Sequence, residues 1–461
     1  MTTTSAGKPT PGGPRELAKS TPPPSERMTP QARKGIIAAC IGNFIEWYEF
    51  MLYGYFATVI AAQFFPVADP TASLLLTFAV FGISFLVRPL GGIVFGYIGD
   101  RYGRKVTLSM IIMMISGATA AMALVPSYGQ IGVLAPILIL LLRCIQGISA
   151  GGEWMGSASY IIENAPARKR ATFGAWQPVT IVLAMMTASL AALAVTAATG
   201  AQVDHWGWRI PFLVALPLGL VGLYLRLRLD ESQEFSEAVK EDGVEKTPLR
   251  KTLKHDWRSI LLVTTLVCSP TMGTYVVFSY APTFLTTRLD ISTGAARLSG
   301  LIGMVFVVAM ILVFARVADR TGRRPLLITG ATWVLFAAPI TFWLFGRRDM
   351  FSLIVGFVLI GIGLAMMFAP QAAVFTELFP TSRRYAGLAI GYNLGAILFG
   401  GAGPFVATAL ISLTDSNYAP AIYMSAGALI SLVAALLVPE TLHFSLRSGN
   451  RTEKEHRVEQ V

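Results

Sequence analysis

Five ionisable residues stand inside runs that are otherwise apolar: Glu46, Glu49, Arg88, Arg143 and Glu153. A charge held in hydrocarbon costs about 3 kcal/mol or more unless it is paired or wet, so such residues mark functional sites. Glu46 and Glu49 are three residues apart, hence neighbours on one helical face, and Asn43 and Tyr53 extend that stripe. Two close carboxylates oppose each other's ionisation, which suits a group that takes up and releases a proton. The same pair is compatible with two carboxylates held neutral by fixed arginines. Counting from the helix ends places Arg143 level with Glu46, and Arg88 level with Glu153. The expected partnerships are Arg143 with Glu46 or Glu49, and Arg88 with Glu153, with Glu46, Glu49 and Glu153 as proton-coupling candidates. The second half of the chain has no charge at comparable depth. It offers Tyr275, Tyr280, Gln371, Tyr392 and Asn393, which Trp176 and Gln177 mirror in the first half. A solute carboxylate could meet Arg88 or Arg143 while these groups surround its body, and rings of this kind attract a quaternary ammonium. Packing or interface-belt roles for the individual aromatics are the competing reading.

The elements that must position these residues follow from composition. Of 461 residues, 54% are hydrophobic and 14% charged, and the mean hydropathy is +0.60. Such a chain cannot bury its apolar surface in a soluble core and belongs in a bilayer. About twelve apolar stretches are long enough to span one, and in lipid they must be helical to satisfy their backbone. The chain is therefore read as an all-α membrane protein. A glycine-bearing charged turn with Gly99, Asp100, Arg101, Gly103 and Arg104 recurs as Asp319, Arg320, Gly322 and Arg323, at an offset of 219 residues (319 − 100). A second pair of segments, Glu163 through Arg170 and Glu377 through Arg384, repeats at 214 (377 − 163). Two matches at nearly one offset imply a duplication into two pseudo-symmetric halves of six helices. The expected division is a disordered tail over 1–35, a first half over 36–228, a linker over 229–256, a second half over 257–438 and a tail over 439–461. A surface helix can start at Leu229–Phe235, and no coiled coil is expected after Pro439.

Lys and Arg number about 30 on the side that carries the charged turns and about five on the other, which puts both termini in the cytoplasm. The formal charge of +11 is then accounted for by loops beside anionic lipid, without nucleic acid. Cys40, Cys144 and Cys268 sit in apolar runs without ligand spacing, and His205, His255, His443 and His456 fall in loops or tails. No metal site, cofactor or catalytic nucleophile is expected, so work must be driven by an ion gradient. Glycines at four-residue spacing (Gly92 with Gly96, Gly147 with Gly151, and Gly387, Gly391 and Gly395) fit close helix crossings. Pro178, Pro270, Pro282, Pro370 and Pro404 lie inside spans. Both features fit a protein that rocks between states, and both fit static packing.

The segments Gly42 to Phe50, Arg88-Pro89-Leu90-Gly91-Gly92, Arg143-Cys144-Ile145-Gln146-Gly147, Gly151-Gly152-Glu153-Trp154 and Trp206 to Phe212 resemble the metabolite:proton symporter family of the major facilitator superfamily. The resemblance covers the whole membrane region. It implies a twelve-helix fold and alternating access around a site between the halves. It also implies proton-driven uptake of a small solute, either a zwitterion such as proline or betaine or a carboxylate such as oxoglutarate, citrate or shikimate. The charged turns would latch the cytoplasmic side, although their topology-setting charge alone is a competing reading. Glu49 stands where the family usually has Asp, and Ala315 replaces the first Gly of the second turn. The expected partners are a small-molecule substrate, protons and the lipid bilayer of the cell membrane, with the protein acting as a monomer. A proton-coupled exporter or antiporter and a non-transporting membrane sensor are the rival readings.

Overall fold

A computed structural model describes residues 30–102, 104–227 and 248–444, excepting the side chains of 30–32, 93, 96, 97, 99–102, 104, 105, 153, 226, 248–251, 381 and 382. Among the described residues, eleven helices are long and apolar enough to cross a membrane, and a shorter apolar helix makes the twelfth. They are α1 (Arg33–Tyr55), α2 (Pro70–Gly92), α3 (Val106–Leu124), α4 (Leu134–Glu163), α5 (Ala167–Val203), α6 (Arg209–Leu225), α7 (Trp257–Thr287), α8 (Thr293–Thr321), α9 (Arg324–Gly346), α10 (Met350–Glu377), α11 (Arg383–Thr414) and α12 (Ala419–Leu437). The surface helix expected from Leu229 and the segment beyond residue 444 lie outside the described residues.

Helices α1, α3, α5 and α6 pack among themselves, as do α8, α9, α10 and α12. The two groups meet where α5 packs on α8 and α10, and where α2 and α4 pack on α11. Short polar caps start three helices, α2, α8 and α10, on the face opposite the charged turns. Asp69 accepts from Thr71 N, Ser292 from Ala295 N and Asp349 from Ser352 N. Each satisfies one amide that the first helical turn leaves open.

Glycine decides one crossing that matters for the site. A Cβ on Gly147 would meet Ser84 O, and one on Gly151 would meet Arg88 O. Helix α4 therefore lies backbone to backbone on α2, which sets Arg143 against Ser84. Gly391 and Gly395 do the same for α11 on α7, against Ile260 O and Thr264 O.

Proline and a widened helical turn coincide in the second half. The stretch Gly273–Tyr280 of α7 is π-helical, between Pro270 and Pro282, and Ala396–Gly401 of α11 is π-helical just before Pro404. Proline removes an amide from the ladder and loosens the turn before it. Tyr275 and Tyr280 both ride on the α7 segment, and a Cβ on Gly400 would meet the Tyr275 ring.

Candidate functional site

The seam between the halves has three levels. At the face bearing the charged turns, Glu377 is fully buried between Arg323 at 3.1 Å and Arg170 at 3.3 Å. Arg170 begins α5 in the first half, so this carboxylate bridges the halves. Its repeat-related counterpart does the reverse: Glu163 at the end of α4 receives Arg384 of α11 at 2.6 Å. Arg384 also donates to Thr376 O and Phe379 O. The two pairs are exchanged by the 214-residue repeat (377 − 163 and 384 − 170). The two carboxylates lie in the two copies of the segment Glu163 through Arg170 and Glu377 through Arg384, and not in the charged turns.

Asp319 of the second turn bonds across the halves. It accepts from Ala171 N (2.9 Å), Thr172 N (2.8 Å) and Thr172 Oγ1 (2.7 Å). These amides belong to the first turn of a helix, whose partial positive charge favours a carboxylate. Arg323 lies 3.9 Å from Asp319. Gly322 has φ of +102°, a conformation open to glycine, and the turn it makes lets Arg323 N and Arg324 N donate to Glu440 at 3.0 Å each. Arg320 is exposed. Gly99, Asp100, Arg101, Gly103 and Arg104 of the first turn lie outside the described residues or their described side chains.

The middle level holds the buried charges. Glu49 is fully buried and accepts from Ser116 Oγ (2.5 Å) and Thr119 Oγ1 (3.0 Å) of α3. Gln146 Nε2 donates to Thr119 Oγ1 at 2.6 Å, and Gln146 Oε1 accepts from Arg143 Nη1 at 2.8 Å. The expected direct pairing of Arg143 with Glu46 or Glu49 is thus replaced, among the described residues, by a run through Thr119 and Gln146. The reason is steric: the α2–α4 glycine contact draws Arg143 to Ser84 Oγ at 3.3 Å, while Glu49 faces α3.

Aromatic faces complete the arginine environments. The Arg143 guanidinium lies over Phe50 (4.3 Å), Tyr53 (4.4 Å) and Phe81 (4.8 Å). Arg88 lies over Phe85 (4.3 Å) and Phe50 (4.9 Å). Desolvated contacts of this kind contribute about 2 kcal/mol each. Tyr53 is itself fixed by its hydroxyl, which donates to Thr77 O. Glu46 is buried; the Glu153 side chain, the expected partner of Arg88, is outside the described set.

Asn43 and Gln177 are joined in a first-half network: Asn43 Nδ2 donates to Thr180 Oγ1 (2.8 Å), and Gln177 Nε2 to Ser157 Oγ (3.0 Å). From the second half, Tyr275 packs on Trp47 (6.0 Å between ring centres), Phe81 and Phe85. Tyr392 stacks on Trp154 at 4.0 Å, and Asn393 Nδ2 donates to Gly151 O. Gln371 is buried in α10 beside Pro370. Trp176 is 42% exposed and does not join the seam.

At the far face, Tyr280 meets Phe78 edge-on at 5.7 Å. Arg297 of α8 reaches into the first half and donates to Ala192 O (3.1 Å), Thr196 Oγ1 (3.0 Å) and Tyr55 O (3.2 Å). Tyr55 closes α1, and a separate helix resumes at Ala57, so its carbonyl is open to an outside donor. The sequence signal for Arg297 is its place five residues into an otherwise apolar helix.

Twelve apolar helices whose two groups meet along a polar and aromatic seam, joined by ion pairs at one face, have the architecture of the major facilitator class. The chain belongs to the sugar (and other) transporter family, whose model matches residues 35–248 and again 233–452. It is 35% identical over 430 residues to the glycine betaine/proline/ectoine/pipecolic acid transporter OusA of Dickeya dadantii, covering 90% of this chain and 85% of that one. It is 34% identical over 431 residues to the proline/betaine transporter of Salmonella typhimurium, with the same coverage. Among solved structures, the partially occluded inward-open xylose transporter XylE from E. coli matches with TM-score 0.71 at 19% identity, covering 91% of this chain and all of that one. XylE bound to 6-bromo-6-deoxy-D-glucose matches at 0.70 and 20%, covering 93% and 99%. The protein is a multi-pass membrane transporter and not an enzyme.

Proposed function

We propose that the protein imports a small zwitterionic solute of the proline or betaine type by proton symport, alternating access between its two faces. The observation that carries this reading is the run from Glu49 to Arg143, a buried proton acceptor tied by hydrogen bonds to a buried anion receptor. A betaine presents a carboxylate and a quaternary ammonium to the same small volume. Its carboxylate would pair with Arg143 or Arg88, and the faces of Phe50, Tyr53, Phe81 and Phe85 that those guanidinium groups cover would become available to the ammonium. Exchange of one cation for another keeps the rings occupied, so binding and arginine movement are coupled. Tyr275, Tyr392, Asn393 and Gln371 would close the site from the second half. The names of the curated relatives favour a zwitterion over a dicarboxylate.

The charged-turn face is assigned to the cytoplasm and the protein to the cell membrane as a monomer, supported by the excess of Lys and Arg on that face. Glu377–Arg170, Glu163–Arg384 and Asp319 on α5 would hold that face shut while the other opens. The repeat gives Gly99, Asp100, Arg101, Gly103 and Arg104 the same task on the first half. Uptake of labelled glycine betaine and proline into proteoliposomes under an imposed inward proton gradient tests the reading. Accumulation that is abolished by a protonophore, competed by each zwitterion and untouched by citrate or oxoglutarate is expected. Accumulation driven only by the opposite gradient, or none for any of these solutes, overturns it.

A further inference from the structure

Thr119 Oγ1 is within hydrogen-bonding distance of two acceptors, Glu49 Oε2 at 3.0 Å and Ile115 O at 2.8 Å. A hydroxyl carries one hydrogen and can donate to only one of them. It also receives Gln146 Nε2 at 2.6 Å, and Gln146 is oriented by its other end, where Oε1 accepts from Arg143 Nη1. Every donor and acceptor in this run has an assigned direction except the Thr119 hydroxyl. We propose that Thr119 and Gln146 are positioning residues that carry the protonation state of Glu49 to Arg143, so that loading of the proton sets how firmly the arginine is held. The proposal rests on the proton-coupled reading above and names the residues through which coupling passes.

The hydrogens balance in both states. With Glu49 ionised, Ser116 and Thr119 each donate to the carboxylate, Gln146 donates to Thr119, and Arg143 donates to Gln146. The chain then points from cation to anion, and its bonds polarise one another in the same sense. When a proton binds Oε2, that oxygen becomes a donor. Thr119 accepts from it, keeps accepting from Gln146 through its second lone pair, and turns its own hydrogen to Ile115 O. No bond is lost, but the anion at the end of the chain is gone, and Arg143 loses the field that held it on Gln146. It is then freer to leave the Phe50, Tyr53 and Phe81 faces for a substrate carboxylate.

The charged and titratable groups that face this run, among the described residues, are Glu46 and Tyr48 beside Glu49 on α1, and Tyr53, Arg88, Cys144 and, from α7 of the second half, Tyr275 around Arg143 at its other end. Among the described residues, α3 presents hydroxyls, α5 presents Gln177 and Thr180 to Asn43, and α6 presents Gly219 to Ser116. A threonine bonded to the carbonyl four residues back is otherwise an ordinary packing feature of apolar helices. The experiment must separate the two roles.

The readout is a ratio, measured in proteoliposomes holding the full chain with labelled glycine betaine as probe: accumulation under an imposed proton gradient divided by counterflow without one. Thr119→Val keeps the shape and removes the hydroxyl, while Thr119→Ser keeps the hydroxyl. The expected result is a ratio at least tenfold below wild type for Thr119→Val, and within twofold of wild type for Thr119→Ser. Gln146→Met, which decides the matter if Thr119→Val does not fold, should show the same fall. A ratio within twofold of wild type in Thr119→Val or Gln146→Met, including a parallel loss of both activities, overturns the proposal. If that happens while Glu49→Gln still lowers the ratio, this proposal alone falls; if Glu49→Gln leaves the ratio intact, the proton-coupled reading falls with it.

Discussion

Replacing Glu377 with Gln keeps the shape of the buried side chain and removes its charge. Arg323 and Arg170 lose their shared acceptor at 3.1 and 3.3 Å. Breaking one partner of a buried ion pair costs about 3–5 kcal/mol, but the Arg323 share is lost within the second half whichever face is open. Only the Arg170 contact crosses between the halves. A charge-assisted hydrogen bond at a side chain that is 11% exposed contributes about 1.5–3 kcal/mol. The equilibrium should therefore shift about 10- to 100-fold toward opening of this face. Glu163→Gln breaks the repeat-related pair, but the Glu163 side chain is 35% exposed, so solvent screening reduces its effect to about 1 kcal/mol or less. Spin labels at Lys169 and Arg320, which are exposed on opposite halves of this face, would report the distance distribution in protein whose three native cysteines are replaced. The long-distance population should rise much more in Glu377→Gln than in Glu163→Gln. Equal shifts, the reverse order, or no change in either refutes the reasoning from burial.

Arg297→Ala removes three bonds from α8 to α1 and α5 at the far face. Labels placed across that face should show opening, and Arg297→Lys, with one compact ammonium, should restore closure only in part. Gly151→Ala places a methyl against Arg88 O, a backbone atom that cannot swing aside. Overpacking of this kind costs about 1–3 kcal/mol, read as a lower Tm in detergent, whereas Gly117→Ala, which meets nothing nearby, should leave Tm unchanged or raise it slightly.

The helical, duplicated fold was legible because bilayer length, apolar composition and repeated charged turns each constrain it strongly. Even the helix without the length for a simple span, Arg209–Leu225, was visible as an apolar run. The buried charges were legible for the same reason: Glu49, Arg88 and Arg143 interrupt apolar stretches and stay buried in the fold. Their partners were not. Helical spacing shows that Glu46 and Glu49 share a face, but the rotation of α1 against α3 decides that Glu49 meets Ser116 and Thr119. Hydroxyls are common in membrane helices, so neither residue stood out. Gln146 lay inside a recognised motif without a role, since its use depends on which way its amide is turned. The Glu163–Arg384 and Glu377–Arg170 exchange could have been inferred, because each pair takes its acid from one copy of a repeated segment and its arginine from the other, as pseudo-twofold symmetry requires.

The central claim is that substrate entry brings a proton with it through Glu49. A pH-sensitive dye trapped in proteoliposomes, with no imposed gradient, reads this directly when glycine betaine or proline is added outside. Wild-type protein should acidify the lumen in step with solute entry, and Glu49→Gln should admit labelled solute by counterflow without acidification. Solute entry without acidification by the wild type, or acidification by Glu49→Gln equal to that of the wild type, would contradict the account.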